Sequence, residues 1–324
     1  MVNTMIRQSS SSSRCCEGPS TVEVLRKQEM SACYQCRDYL EAADSKAESV
    51  TEATRAEMLE WVCKVSSFLK LNDDIAITTA TLLDRFSQTP QGNTILSSVP
   101  SYRLATMACF YLTTKVHAHE AHDDLCPCTV SAETMSAFSH GLFSAQQVEE
   151  MELCILQSMG WRTNPPTALT FVREFLLLLP CSVSSKMKDH AYQLCQAQIQ
   201  GCMLDYDLFA LTEASTIAFF AVQNALRTLG MDEILLKHIA AIFSYATHTD
   251  YTSRCSEQIQ AALVVVRDKP SPTSPPFLKK RRQQRRRSSA SSTSTSSSSS
   301  SRRRHRWSAR RMDSLDVSPR AVAV

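Results

Sequence analysis

The sequence predicts an all-α protein, with two successive five-helix domains preceded by an N-terminal helix and flanked by disordered N- and C-terminal tails. Three observations lead there. Only 6 glycines occur in 324 residues, against a usual share of about 7%. Apolar residues recur at spacings of three and four through most of the chain, and sustained alternation with period two is missing. Glycine scarcity argues against phosphate-cradling loops, dinucleotide folds and tight-turned sandwiches, all of which need positive φ or a close backbone approach.

The elements follow in order. Residues 1–21 are Ser-rich and too polar to bury a core. Residues 22–50 hold the N-terminal helix, expected from Val22 to Ala43, and a linker. The first domain, 51–161, carries helices at Thr51 to Leu69, Asp73 to Ser87, Ser101 to Val116, Ser131 to Ser139 and Ala145 to Met159, with Gly160 as a left-handed cap. Arg162-Thr-Asn-Pro-Pro166 then interrupts the pattern, because paired prolines remove amide donors and extend the preceding residue. The second domain, 162–268, is expected to hold helices at Thr167 to Leu179, Ser184 to Cys202, Tyr206 to Leu229, Met231 to Tyr245 and Thr252 to Val266, with Gly230 as another cap. Residues 269–324 combine Pro, Ser and Arg runs with little to bury.

Charge divides along the same lines. From Ser271 to Val324 there are 14 Lys and Arg against 2 Asp and Glu, a net +12, and the preceding residues carry 21 against 30, a net −9. An acidic body suits a protein partner, and any import signal or nonspecific nucleic-acid contact belongs to the tail. The 13 cysteines, an odd number without framework spacing, read as reduced intracellular thiols. The apolar run at Phe175 to Leu179 is far short of a membrane span, so no membrane partner and a soluble chain are expected.

Two charges break otherwise apolar helical rows. Leu104, Ala108, Tyr111 and Lys115 form one row, and Val148, Glu152, Ile155 and Met159 another. Taken alone, a snorkelling lysine and a glutamate at the edge of its stripe account for both. Their sequence context points further. Arg55-Ala-Glu-Met-Leu-Glu-Trp61 is followed twenty-three residues later by Asp84-Arg-Phe86, then by Leu104 to Lys115 and by Met151-Glu152-Leu153. This ordered set, from about Thr51 to Trp161, resembles the cyclin box. The second domain resembles a cyclin fold only in its helix count and in Asn164-Pro-Pro-Thr at its start.

The resemblance implies a non-enzymatic regulatory subunit that binds and activates a cyclin-dependent Ser/Thr protein kinase, of a cell-cycle type, and needs no cofactor. Lys115 and Glu152 would hydrogen-bond the kinase backbone around its regulatory helix. Arg55 and Glu60 match an internal ion pair of the family, which usually has aspartate at the second position. Trp61, Asp84 and Leu104 match scaffold positions. A transcription-associated cyclin, or a cyclin-fold adaptor or transcription factor, is the alternative. Many cyclins also recruit substrates through an apolar patch on the first box helix. Met58, Trp61, Lys64, Tyr102 and Arg103 stand at those positions as a degraded version, since Thr54 and Glu57 replace apolar residues, Lys64 replaces an acid, and Tyr102-Arg103 replaces Leu-Gln. A lysine there would repel a basic substrate motif.

Other chemistry is sparse. His117, His119, His122, Cys126 and Cys128 are zinc-capable side chains, but their spacing matches no paired-ligand pattern and Asp123-Asp124 suits a solvated loop, so no metal is expected. Cys33 and Cys36 are expected on the N-terminal helix, where their spacing is not a redox motif. Arg37-Asp-Tyr-Leu40 has the bare form of a destruction signal inside the same expected helix. No Gly-framed nucleophile or metal-binding helix occurs, which argues against an enzyme. In the tail, Lys279, Lys280, Arg281, Arg282, Arg285, Arg286 and Arg287 compose a nuclear localisation signal for an import receptor, with Arg302-Arg-Arg-His-Arg-Trp307 beyond it. The chain is expected in the nucleus, shuttling with the cytoplasm. Ser271, Ser274 and Ser318 each precede proline as phosphorylation sites do, and phosphate there would cancel nearby charge.

Overall fold

The computed structural model describes residues 21–41, 49–72, 74–117 and 130–251, together with Ile259 and Leu263. Within them every regular element is a helix: α1 (Thr21–Glu29), α2 (Glu52–Leu69), α3 (Asp74–Ser87), α4 (Pro90–Ile95), α5 (Val99–His117), α6 (Ala132–Phe138), α7 (Ala145–Ser158), α8 (Ala168–Leu177), α9 (Ser185–Cys202), α10 (Tyr206–Ala210), α11 (Ala214–Thr228) and α12 (Glu233–Thr247). The all-α expectation holds.

Local chemistry sets most boundaries. Thr51, Ser131, Thr167 and Ser184 each cap a helix by accepting the amide three residues on, which satisfies a donor the helix cannot use. Ser144 and Gln147 form a reciprocal capping box at the start of α7. Gly160 and Gly230 adopt the positive φ expected of them, at 56° and 80°. Pro100 sits in the first turn of α5, where its missing amide costs nothing, so this helix starts earlier than Ser101.

Two buried helices organise the packing. In the first set α5 touches α2, α3, α4, α6 and α7, and in the second α11 touches α8, α9 and α12. Trp61 meets Phe110 edge-on at 6.2 Å in the first set. In the second, Phe175 stacks on Phe243 at 4.4 Å and Phe219 on Tyr251 at 4.0 Å. The α2–α10 and α3–α9 contacts join the sets, and α1 lies on α8 and α12.

Three expectations are corrected. The N-terminal helix ends at Glu29 and not at Ala43. The chain beyond it commits its backbone to tertiary partners: the Arg37 amide donates to Gln88, the Tyr39 and Leu40 amides donate to the Tyr206 hydroxyl, and the Cys33 carbonyl accepts from Arg85. Cys33, Cys36 and Arg37–Leu40 therefore lie off the helix. The single helix expected over Tyr206 to Leu229 is broken at Leu211–Glu213, where Glu213 turns aside to pair with Arg26 at 2.8 Å. A short helix, α4, stands where none was expected; Thr89 caps it and Pro90 occupies its first position. The helix expected from Thr252 lies almost wholly outside the described residues, although Ile259 and Leu263 are helical and Leu263 is buried.

Glu29 ties α1 to the second set, accepting from the Ser215 amide at 2.9 Å and from Arg26 at 2.6 Å. Burial pushes its carboxyl above the ordinary value of 4.5, and these hydrogen bonds only partly offset the shift. A carboxyl raised on folding contributes stability that is present below 4.5 and is lost as pH rises through the raised value. Glu29→Gln is therefore expected to flatten the dependence of the urea midpoint on pH in that window; an unchanged slope would count against this role.

Candidate functional site

Lys115 stands in the last turn of α5 and Glu152 midway along α7, two helices in direct contact. Their side chains meet with Nζ 2.7 Å from Oε1. Below Glu152 its row is core, with Val148 and Ile155 fully buried and Met159 nearly so. The glutamate itself is only 9% exposed, and the lysine 43%. Tyr111, one turn before Lys115, presents its ring 4.7 Å from the ammonium. Burial pulls the Lys115 pKa down, and the hydrogen bond and charge of Glu152 more than offset that, leaving it above its ordinary value.

This pair is not saturated. A lysine has three donors and one goes to Glu152, and Oε2 of Glu152 accepts nothing among the described residues. The two can therefore offer a donor and an acceptor to another chain's backbone without separating. Apolar side chains are exposed on the same helix and at its end: Leu153, next to Glu152, and Trp161, 66% exposed in a left-handed conformation just past α7.

A second cluster sits at the centre of the fold. Arg55 is fully buried, and its Nε and Nη2 donate to the two oxygens of Asp84 at 2.8 and 2.7 Å. Its Nη1 donates to the Met203 carbonyl at 3.0 Å, and the Tyr39 hydroxyl donates to Asp84 at 2.7 Å. Tyr206 and Phe209 place their rings 5.5 and 5.9 Å from the guanidinium. Burial works against the Arg55 charge, and Asp84 more than offsets it, so the guanidinium stays above its ordinary value. Burial and the neighbouring Asp84 charge push the Tyr39 hydroxyl well above its own.

The cluster corrects the expected partner of Arg55. Glu60 lies five positions further along α2, about 140° around the helix, and pairs instead with Lys64 at 3.6 Å, both side chains exposed. Asp84 takes the role assigned to Glu60. Leu104 is partly buried against the core, consistent with a packing position.

The docking patch expected in degraded form presents little apolar surface. Met58, Trp61 and Tyr102 are 1%, 4% and 0% exposed, because α5 packs on α2 over them. Of the five residues only Lys64 is exposed, with Arg103 half-buried, so an apolar docking surface is missing there among the described residues. His117 ends α5, whereas His119, His122, Cys126 and Cys128 lie outside the described residues, as do the basic run from Lys279 to Arg287 and Ser271, Ser274 and Ser318. Among the described residues no helix is long and apolar enough to cross a membrane, and no three His, Cys, Asp or Glu side chains cluster as metal ligands do. The eight cysteines described are free thiols.

Sequence reasoning missed Tyr39, Met203 and Tyr206 around Arg55, and Arg173, which pairs with Asp74 across the two sets. No local signal marks them, because each partner is distant in sequence.

Comparison with known proteins agrees with this layout. Residues 20–164 match the family model described as the cyclin N-terminal domain. Over that stretch, a little under half of its length, the chain is similar to the cyclin family. Among curated cyclins it is similar to Cyclin-A2-1 of Oryza sativa subsp. japonica, at 26% identity over 237 residues, covering 73% of this chain and 43% of that protein. It is also similar to Cyclin-D4-1 of the same plant, at 25% over 228 residues, covering 68% and 55%. The chain thus spans about half the length of these relatives. Among solved structures, a viral cyclin from herpesvirus saimiri shares the fold, with a TM-score of 0.55 at 14% identity, over 76% of this chain and 97% of that one.

Proposed function

We propose that this chain is a cyclin, a non-catalytic regulatory subunit that binds and activates a cyclin-dependent Ser/Thr protein kinase in cell-cycle control. The observation that carries the reading is the Lys115–Glu152 pair, held at 2.7 Å on two packed helices with hydrogen-bonding capacity to spare. Cyclins use the matching residues to grip the kinase main chain, and the identity to A- and D-type plant cyclins favours a cell-cycle role.

The mechanism is one of positioning. Lys115 and Glu152 fix the kinase's regulatory helix by charge-assisted bonds of about 1.5–3 kcal/mol each. Leu153, next to Glu152 in the chain, and Trp161, just past α7, offer exposed apolar area to an interface of more than about 1,200 Å². Holding that helix inward places its glutamate against the catalytic lysine and orders the activation loop. All chemistry takes place on the kinase.

The test is a Lys115→Ala, Glu152→Ala double variant expressed in cells. It is expected to purify folded, because removing both partners together strands neither charge, yet to recover no kinase and to give no activation. Full activation by that variant would refute the assignment. For the tail we propose nuclear import through Lys279 to Arg287. Replacing these Lys and Arg by Ala is expected to shift a fluorescent fusion to the cytoplasm, and unchanged nuclear signal would reject the signal.

A further inference from the structure

Side chains from both helices reach the Lys115 ammonium. Glu152 takes it from α7, at 2.7 Å. Tyr111 takes it from α5 itself: it stands four positions before Lys115, one turn back on the same face of the helix. The Tyr111 ring is half-buried against the core, and the ammonium lies over it, 4.7 Å from the centroid. Burial alone would pull the Lys115 pKa down, and Tyr111 adds to Glu152 in reversing that pull.

A lysine is long and rich in rotamers, and freezing it on binding lowers affinity. At 43% exposure, Lys115 has room to swing away from Glu152 into solvent. The face of an aromatic ring attracts a cation through its quadrupole. A ring anchored by core contacts can therefore hold the ammonium in place before any partner arrives. With one donor on Glu152 and the ring on one side, the ammonium still has a donor to give. Sealing the rim of the core, by contrast, needs only an apolar side chain, as Leu104 and Ala108 supply further back along the same row.

We propose that Tyr111 is a positioning residue for the kinase contact: its ring presets the Lys115 ammonium beside Glu152, so that the pair meets the kinase main chain already ordered. The proposal rests on Lys115 and Glu152 being the kinase-binding pair, and Tyr111 acts through Lys115.

The test uses the full chain and the cyclin-dependent kinase that co-purifies with it from cells, the kinase then being prepared alone. The concentration giving half-maximal activation is measured for four chains: unsubstituted, Tyr111→Phe, Tyr111→Leu, and one with trifluorophenylalanine at position 111. Fluorine withdraws charge from the ring face and nearly keeps its shape, so packing is retained and the attraction for a cation is lost. Tyr111→Phe is expected to stay within about twofold of the unsubstituted chain. The Tyr111→Leu and trifluorophenylalanine chains are expected to need at least about threefold more, the weakening that loss of a cation–ring contact implies at a half-exposed site. Equal values for the phenylalanine and trifluorophenylalanine chains overturn the proposal, because a packing role alone predicts them. Should Tyr111→Leu not fold, those two aromatic chains still decide. If the unsubstituted chain brings down no cyclin-dependent kinase, the reading of the Lys115–Glu152 pair falls and this proposal with it. A kinase activated equally by all four chains overturns the proposal alone.

Discussion

Arg55→Met is expected to cost about 3–5 kcal/mol of unfolding free energy, because it strands Asp84 as an uncompensated charge in the core. The guanidinium is wholly buried and bidentate, and it also satisfies the Met203 carbonyl, so no solvent can take over its bonds. Pairing the change with Asp84→Leu removes the stranded charge, and the double variant is expected to lose less than the two single changes together. Urea unfolding gives the measurement, through the midpoint and slope. Because Arg55 on α2 reaches Met203 just past α9, the single variant is also expected to split one transition into two. A loss below about 1 kcal/mol with one sharp transition would show that the cluster is not the fold's keystone.

Gly92→Ala is expected to cost about 3 kcal/mol, at the upper end for overpacking. A Cβ on Gly92 would stand 1.8 Å from the Phe86 carbonyl oxygen and 2.5 Å from its carbon. Both are backbone atoms at the end of α3, so relief requires α3 and α4 to move apart. Gly230→Ala is the control. Its φ of 80° is unfavourable for alanine, but its Cβ would meet nothing within 4 Å, so about 1–2 kcal/mol is expected. A denaturation series ranks the two, and an equal or smaller loss at Gly92 would show that the α3–α4 junction yields easily.

What could be read from the sequence follows from the range of the interactions. Helix starts at Glu52, Ala132, Ala145, Ala168 and Ser185 were legible because Thr51, Ser131, Ser144, Thr167 and Ser184 act within one turn. The Lys115–Glu152 pair was legible because each charge interrupts an apolar row and falls inside an ordered motif. The break between α10 and α11 was not, since no glycine or proline marks it and its cause, Arg26, lies far back in the chain. The partner of Arg55 was misassigned for a related reason. Glu60 is close in sequence but on another side of α2, whereas Asp84 comes from a separate helix. Spacing along one helix reports which residues share a face, and says nothing of which helix that face will meet. The short α4 was hidden behind Pro90 and Gly92, residues that more often mark a loop.

The stretch from Tyr34 to Leu40 limits where such a chain can be cut. It leaves α1 on the second set of helices, crosses to α3, and reaches both Asp84 and Tyr206 through Tyr39 and Leu40. A fragment beginning at the first box would bare one wall of each repeat at once. The two sets of helices thus share a seam that those few residues complete, and a fragment of either set would need a substitute for them.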